Sequence, residues 1–417
     1  MLTISQFLVY IFLFCAFYFE VFILVTYFEN RKDIKMASKK LGKEPKYYPS
    51  VCIIVPCWNE EETVVKTIDS LLNMDYPKEK LEVVLIDDGS TDNTWSIIQQ
   101  FSNNPIIKVF SKENGGKYTA LNFGLTKSKS ELVGCLDADS FVAPDALKNI
   151  VLSFEENSEI MAVTPSAKIY EPKSLMQIIQ SVEYILAIFT RKVLAYINAI
   201  YITPGPFSIF KREVFQKIGG YREGHKTEDM ELAMRMQTNH MKIANAHNAF
   251  VYTTGPKTFK KLYTQRVRWA YGFIKNISDY RQVIFRKKYG NLGLFVLPMA
   301  SFAVVGTVYM AIIGLIDSIS QITNQIIKIR TIGFHLPHIA FSLDWFSINT
   351  NVPFIFGVAV FMGTIFILFL SKSLAQIKYK RFNIDLVYFI AVYSFITPIW
   401  LAKALYNTLM SVKTTWR

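Results

Sequence analysis

The chain has 417 residues, enough for two or three domains. Apolar residues make up 51% and aromatic residues 15%, and long apolar runs near the N-terminus and in the last third exclude a wholly water-soluble protein. The formal charge of +13 admits nucleic acid, anionic lipid or a phosphorylated substrate, but much of the excess lies beside those runs, in 32–46, 257–288 and 372–381, which favours lipid and argues against nucleic acid.

Residues 4–28 carry no charge except Glu20 and exceed the length needed to cross a bilayer. A signal peptide is disfavoured by the length of the run, by the lack of a basic residue before it and by the lack of a cleavage pattern after it. Arg31, Lys32, Lys35, Lys39 and Lys40 follow, so the positive-inside rule predicts an anchor with its N-terminus outside. Glu20 is costly in lipid and is expected either to face other helices or an aqueous path, or to snorkel.

A water-soluble middle follows. Residues 51–55, 81–86, 106–110 and 132–136 are short apolar runs, and 60–72, 91–101 and 118–126 between them have helical spacing. This β-α alternation predicts a mostly parallel sheet flanked by helices, with ligands at the carboxyl ends of the strands. The polar residues lie there: Asn59 and Glu60, Asp87 and Asp88, then Asp137 and Asp139. Neither GxGxxG nor a Walker loop is present, while Gly115-Gly116-Lys117 suits either a phosphate cradle or a plain turn before a helix. Cys15, Cys52, Cys57 and Cys135 show no ligand or redox spacing and read as small core residues in a reducing compartment. The five histidines form no zinc motif.

Asp137-Ala138-Asp139 brings two carboxylates within reach of one hard cation, which can neutralise a departing diphosphate; an ordinary acidic turn is the alternative. Residues 175–197 form an amphipathic stripe expected against the sheet or the membrane surface, with Gln177, Gln180 and Glu183 either bordering an acceptor groove or solvated. Thr227-Glu228-Asp229 precedes a helical run; Thr227 suits an N-cap, and Asp229 suits either the first helical turn or a general base. Gln265, Arg268 and Trp269 share one face of a basic, aromatic helix beginning near Thr258, placing a guanidinium for a diphosphate beside a flat surface for a sugar ring. Apolar stretches at 292–316, 352–370 and 384–410 predict three more spans, with Lys372, Lys378, Lys380 and Arg381 inside; 318–350 suits an external loop or an interfacial helix.

Taken together, Pro56-Cys57-Trp58-Asn59-Glu60, Asp87-Asp88-Gly89-Ser90, Asp137-Ala138-Asp139, Thr227-Glu228-Asp229 and Gln265-Arg266-Val267-Arg268-Trp269 resemble, in order, the processive family 2 glycosyltransferases. That family includes cellulose, chitin, hyaluronan and poly-N-acetylglucosamine synthases. The short chain, the single early span and the QRVRWA run most resemble the bacterial poly-β-1,6-N-acetylglucosamine group. Trp58 in place of the usual Tyr departs from it, and Gly205-Pro206-Phe207-Ser208 is closer to hyaluronan and chitin synthases.

The resemblance implies a GT-A fold, a UDP-sugar donor, Mg2+ or Mn2+, and β-linked polymer synthesis by inversion. By matching position, Pro56, Asn59, Glu60, Asp88, Lys117, Asp137 and Arg268 serve the donor, and Asp139 binds the metal. Asp229, with Glu228, is catalytic, and Gln265, Trp269 and Gly205 serve the acceptor. The implied layout is an N-terminal membrane helix at 1–30, a cytoplasmic catalytic domain at 47–256, interfacial helices at 257–290 and a membrane region at 291–417 in the plasma membrane. A growing polysaccharide or a lipid is the implied acceptor, and a small auxiliary membrane subunit is an expected partner. A non-processive transferase acting on lipid, an inactive nucleotide-binding scaffold and a transporter are the rival readings.

Overall fold

The computed structural model describes residues 4–38, 42–333, 352–377 and 382–412. Lys39, Lys40, Lys378, Lys380 and Arg381, and most of the expected 318–350 segment, lie outside the described residues.

Two helices, α1 (Ile4–Glu29) and α2 (Arg31–Ser38), precede the soluble domain. Strand β1 (Val51–Cys57) is almost wholly buried, as an apolar run flanked by other strands and covered on both faces must be. It pairs in parallel with β2 (Leu81–Asp88) and with β4 (Leu132–Cys135), and β3 (Ile107–Lys112) pairs in parallel with β2. The helices between them are α3 (Val64–Leu72), α4 (Thr94–Gln99) and α5 (Lys117–Lys127). The first two are shorter than the hydrophobic period predicts, because residues 59–63 and 90–94 bind each other instead. Thr91 donates to Asn59 Oδ1 at 2.8 Å, and the Glu60 amide donates to Thr94 Oγ1 at 2.8 Å.

The second half turns the sheet mixed. It contributes β5 (Ser140–Val142), α6 (Ala146–Glu156), β6 (Ile160–Ile169), α7 (Leu175–Tyr196), β7 (Ile209–Lys211), α8 (Arg212–Ile218), α9 (Glu228–Thr238) and β8 (Lys242–Thr253). The strand order is β3-β2-β1-β4-β7-β6-β8-β5; β7 runs antiparallel to both β4 and β6, and β5 antiparallel to β8. Alternation along β1 sends Ile53 and Val55 to one face with Ile68 and Leu71, and Ile54 to the other with Leu121 and Leu232. Cys52, Cys57 and Cys135 are buried and unbridged, as small core residues should be.

After α10 (Phe259–Asp279), a π-helical turn at Leu292–Val296 leads into α11 (Leu297–Ile332); α12 (Val352–Leu374), α13 (Phe382–Tyr388) and α14 (Ser394–Leu409) follow. Among the described residues, four helical stretches have the length and composition to cross a membrane: Ile4–Glu29, Leu292–Ile332, Val352–Leu374 and Ile384–Leu409. The second, expected to end at 316, continues as helix to Ile332, so residues 318–332 are not an external loop. Ile319, Ile322, Ile326 and Ile329 recur at helical spacing through this polar stretch, a period that a hydropathy average hides. At 1.5 Å per residue its 41 residues span about 60 Å, twice a hydrocarbon layer.

The stripe of α7 lies against both the sheet and the membrane helices, with Ile179, Val182, Ile185 and Phe189 clustering with Ile23, Tyr27, Ile367 and Leu368. Glu20 faces another helix, accepting from Thr364 Oγ1 at 2.6 Å, and Gly363 provides the room.

Gly124 in α5 lies where a Cβ would stand 2.5 Å from Ile54 Cγ2 and 2.9 Å from Ile86 Cδ1. Gly124→Val therefore lowers stability by about 1–3 kcal/mol through overpacking, read as a lower melting temperature in detergent. An unchanged midpoint contradicts this account of how α5 seats on the sheet.

Candidate active site

The loops that follow β1, β2 and β4 and the start of α9 meet on one side of the sheet. Lys117, the first residue of α5, reaches two of these segments: its Nζ lies 2.5 Å from Asp137 Oδ1 and 3.1 Å from Glu228 Oε1. Burial works against the ammonium, but the two carboxylates outweigh it and hold Lys117 charged, well above its usual range. Burial likewise opposes the Glu228 carboxylate, and Lys117 more than offsets it, so that acid is held below its usual range.

The neighbouring acids respond in the opposite sense. Burial, then the charges of Asp137 and Glu60, push Asp139 up to about 7. Burial, then the charge of Glu228, push Asp229 up to about 6. Asp229 is fixed from its backbone, its carbonyl accepting from Thr203 Oγ1 at 2.9 Å, and its Oδ1 accepts from the Met230 amide at 2.8 Å. Gly205, two residues beyond Thr203, runs so close that a Cβ there would lie 2.6 Å from Lys117 Nζ and 3.2 Å from the Asp137 carboxylate. It therefore sits beside the residues expected on the donor side.

Among the described residues, no three His, Cys, Asp or Glu side chains form a cage that holds a metal alone. The Asp137–Asp139 pair nevertheless fits a hard divalent cation: its donors are all oxygen, and a cation would offset both the burial and the charge of Asp137 that raise Asp139. One or two carboxylates completed by substrate phosphates is the usual arrangement for Mg2+.

Several expected residues have local partners. The Gly115 and Gly116 amides, suited to a phosphate, donate to the Asp88 carboxylate at 3.2 and 2.9 Å, and Lys112 Nζ pairs with it at 2.6 Å. Asn59, in the left-handed region at φ 55°, binds Thr91 and Ser90 and so ties two strand-end loops together. Glu60 accepts from Thr63 at 2.8 Å, and Pro56 lies within β1 beside Cys57. Thr227 makes no N-cap bond; its hydroxyl donates instead to Gly224 O at 2.7 Å.

On α10, Arg268 Nη1 donates to Lys226 O at 3.2 Å, while Gln265 Oε1 accepts from Arg266 Nη1. Arg266 is buried, stacks on Trp269 at 4.2 Å and pairs with Glu183 at 2.5 Å. Gln177 and Gln180 are buried as well and bond to Gly255 O and Pro256 O, so this face of α7 is not solvated. Thr203, Asn276 and a role for Arg266 escaped the motif reading; for Arg266 and Asn276 the i+3 and i+4 spacing along α10 was the available signal, and Thr203 had none.

A mixed α/β sheet with acidic strand ends, a DxD and a second acidic segment meeting at one lysine defines a GT-A nucleotide-sugar transferase. Residues 52–219 match the family described as Glycosyl transferase family 2. A poly-β-1,6-N-acetyl-D-glucosamine synthase of Staphylococcus epidermidis is 32% identical over 321 residues, 75% of each chain. One from strain RP62A of that species is 30% identical over 368 residues, 87% of this chain and 86% of the relative. A mannosyltransferase of Pyrobaculum calidifontis, solved with GDP-Man and Mn2+, shares the fold at TM-score 0.54 and 19% identity, covering 95% of this chain and 99% of that one. The chain belongs to glycosyl transferase family 2, in the group of the poly-β-1,6-N-acetyl-D-glucosamine synthases.

Lys117→Met strands two carboxylates, whereas Asp137→Asn or Glu228→Gln leaves the ammonium one partner. Lys117→Met is therefore the most destabilising of the three, by about 3 kcal/mol or more, in thermal unfolding of the purified protein. Equal melting temperatures across the three contradict the bridge.

Proposed function

We propose that this protein polymerises N-acetylglucosamine from UDP-GlcNAc into a β-1,6-linked chain at the plasma membrane, with its catalytic domain at 47–256 on the cytoplasmic side. The observation that carries the reading is the Lys117 bridge, which gathers the DxD and the Thr-Glu-Asp segment of a poly-N-acetylglucosamine-synthase relative into one cleft. The basic residues after α1 support the orientation. The interfacial segment at 257–290 and the membrane region at 291–417 complete the proposed layout.

In this reading Asp229 takes the proton from the acceptor hydroxyl as that oxygen attacks the anomeric carbon and UDP leaves from the opposite face. A single displacement inverts the centre, so an α-linked donor yields a β linkage. Lys117 and Arg268 hold the diphosphate as cationic donors. Glu228, kept ionised by Lys117, keeps the Asp229 carboxyl basic. Asp139, with Asp137 beside it, would hold Mg2+ or Mn2+, which supplies charge neutralisation for the departing diphosphate when bound. Trp269 and Gln265 line the acceptor side, with Gly205 leaving the backbone open to the cleft.

Purified protein supplied with UDP-GlcNAc and Mn2+ is expected to release UDP and form a high-molecular-mass product cut by a hydrolase specific for β-1,6-linked N-acetylglucosamine. One or two sugars on lipid in place of a polymer contradicts the polymerase reading. Asp229→Asn lowers turnover by about 10²–10⁴-fold. Because the base works only when ionised, kcat/KM falls tenfold per pH unit below about 6. A flat profile to pH 5, or an Asp229→Asn variant as fast as wild type, refutes the assignment.

Chelation by EDTA is expected to abolish UDP release, and added Mn2+ to restore it. In Asp139→Asn, Mn2+ titration should restore little activity; wild-type metal dependence in that variant counts against Asp139 as the ligand.

A further inference from the structure

The three residues before Thr227 all lie in the left-handed region: Gly224 at φ 53°, His225 at 53° and Lys226 at 70°. Two of them are not glycine, and a run of this kind persists only where surrounding groups hold it. What holds it is one face of α10, whose residues 268, 272, 276 and 279 recur at helical spacing.

Asn276 is fully buried and central to that face. Its Nδ2 donates to Gly224 O at 3.0 Å and to Thr227 Oγ1 at 2.9 Å, and back to Gly272 O at 2.9 Å. Gly272 is required beside it, because a Cβ there would overlap the Thr227 side chain. At the two ends, Arg268 Nη1 bonds to Lys226 O at 3.2 Å and His225 Nε2 lies 2.7 Å from Asp279 Oδ2. All of these contacts fall within five residues of Asp229, and none involves Lys117, Asp137 or Asp139.

We propose that this α10 face is a clamp that sets the position of Asp229 by fixing the left-handed turn before it, with Asn276 as its chief positioning residue. The inference rests on the assignment of Asp229 as the base. An amide is suited to the task because it donates to a carbonyl and a hydroxyl together. A carboxylate at 276 would instead turn an acceptor towards the Gly224 carbonyl. Asn276 and Thr227 act on the base, whereas Arg268 at the end of the clamp also serves the donor, so the loss of Asn276 alone separates turnover from donor binding. Since α10 also packs against α14, the clamp joins the turn before the base to a membrane helix.

The test is steady-state kinetics of the full-length protein in nanodiscs with UDP-GlcNAc and Mn2+. Asn276→Ala and Asn276→Asp are expected to lower kcat by about tenfold or more while the donor KM stays within about threefold, since a small misplacement of a catalytic group costs rate before binding. The acid limb of the kcat profile should move as well, because the Glu228–Asp229 spacing changes. Thr227→Ser should keep most of the rate, and Thr227→Val should lose it without adding to Asn276→Ala in the double variant. If Asn276→Ala does not fold, Thr227→Val with its serine control carries the same expectation.

Wild-type kcat and acid limb in these variants overturn the clamp, as does a loss of activity that only tracks a lowered melting temperature. Asp229→Asn separates the two levels. If it keeps its turnover, the base assignment itself fails; if it is inactive while Asn276→Ala is normal, the clamp alone fails.

Discussion

Everything in the cleft turns on one ammonium group. Lys117 stands at the start of a helix, yet it faces carboxylates from two segments that are 91 residues apart, Asp137 and Glu228. Without it the β4 loop and the head of α9 present like charges to each other in a partly desolvated space, an arrangement that costs several kcal/mol. With it, the negative charge divides unevenly. Glu228 is held ionised, while Asp139 and Asp229, on the outer sides of the bridge, are pushed toward neutrality. Raised carboxyls flanking a lysine are the condition under which a cation, a diphosphate and a proton each find a partner.

The soluble domain does not hang from the membrane helices by a linker alone. The stripe of α7 is shared between the sheet and α1 and α12, and the buried Arg266–Glu183 pair joins α10 to α7. Tyr393, in the last membrane segment, lies beside that pair, near enough for its phenol to feel the charge of both members. Trp269, stacked on Arg266, is thereby held against the same pair.

Much of this was legible in the residues themselves. The first four strands follow from apolar runs, three of which lead into acids at Glu60, at Asp87 and Asp88, and at Asp137 and Asp139, and the acids mark the cleft because ligands gather at the carboxyl ends of parallel strands. The antiparallel β7 was not legible, since three residues carry no period, and α11 was cut short because hydropathy averages away a polar helix with an isoleucine at every turn. The site residues were found by type more readily than by partner. Gly115-Gly116-Lys117 suits a phosphate cradle or a plain turn before a helix, and the structure has the turn, with the glycine amides spent on Asp88. Thr227 reads as a helix cap, yet its hydroxyl closes the turn before it. Arg268 drew attention ahead of Arg266, although only the latter is buried. Hydrogen-bond partners from distant segments have no local signature, so such assignments wait for coordinates.

The central claim is that one cleft holds the leaving group and the base together. A cryo-EM structure of the protein in nanodiscs with UDP and Mn2+ tests it most directly. The account predicts Mn2+ density on Asp139, the diphosphate beside Lys117, and the Asp229 carboxylate facing the β-phosphate across the space a sugar ring fills. Density for UDP in a cavity that Asp229 does not border, or Mn2+ bound away from Asp139, would contradict it.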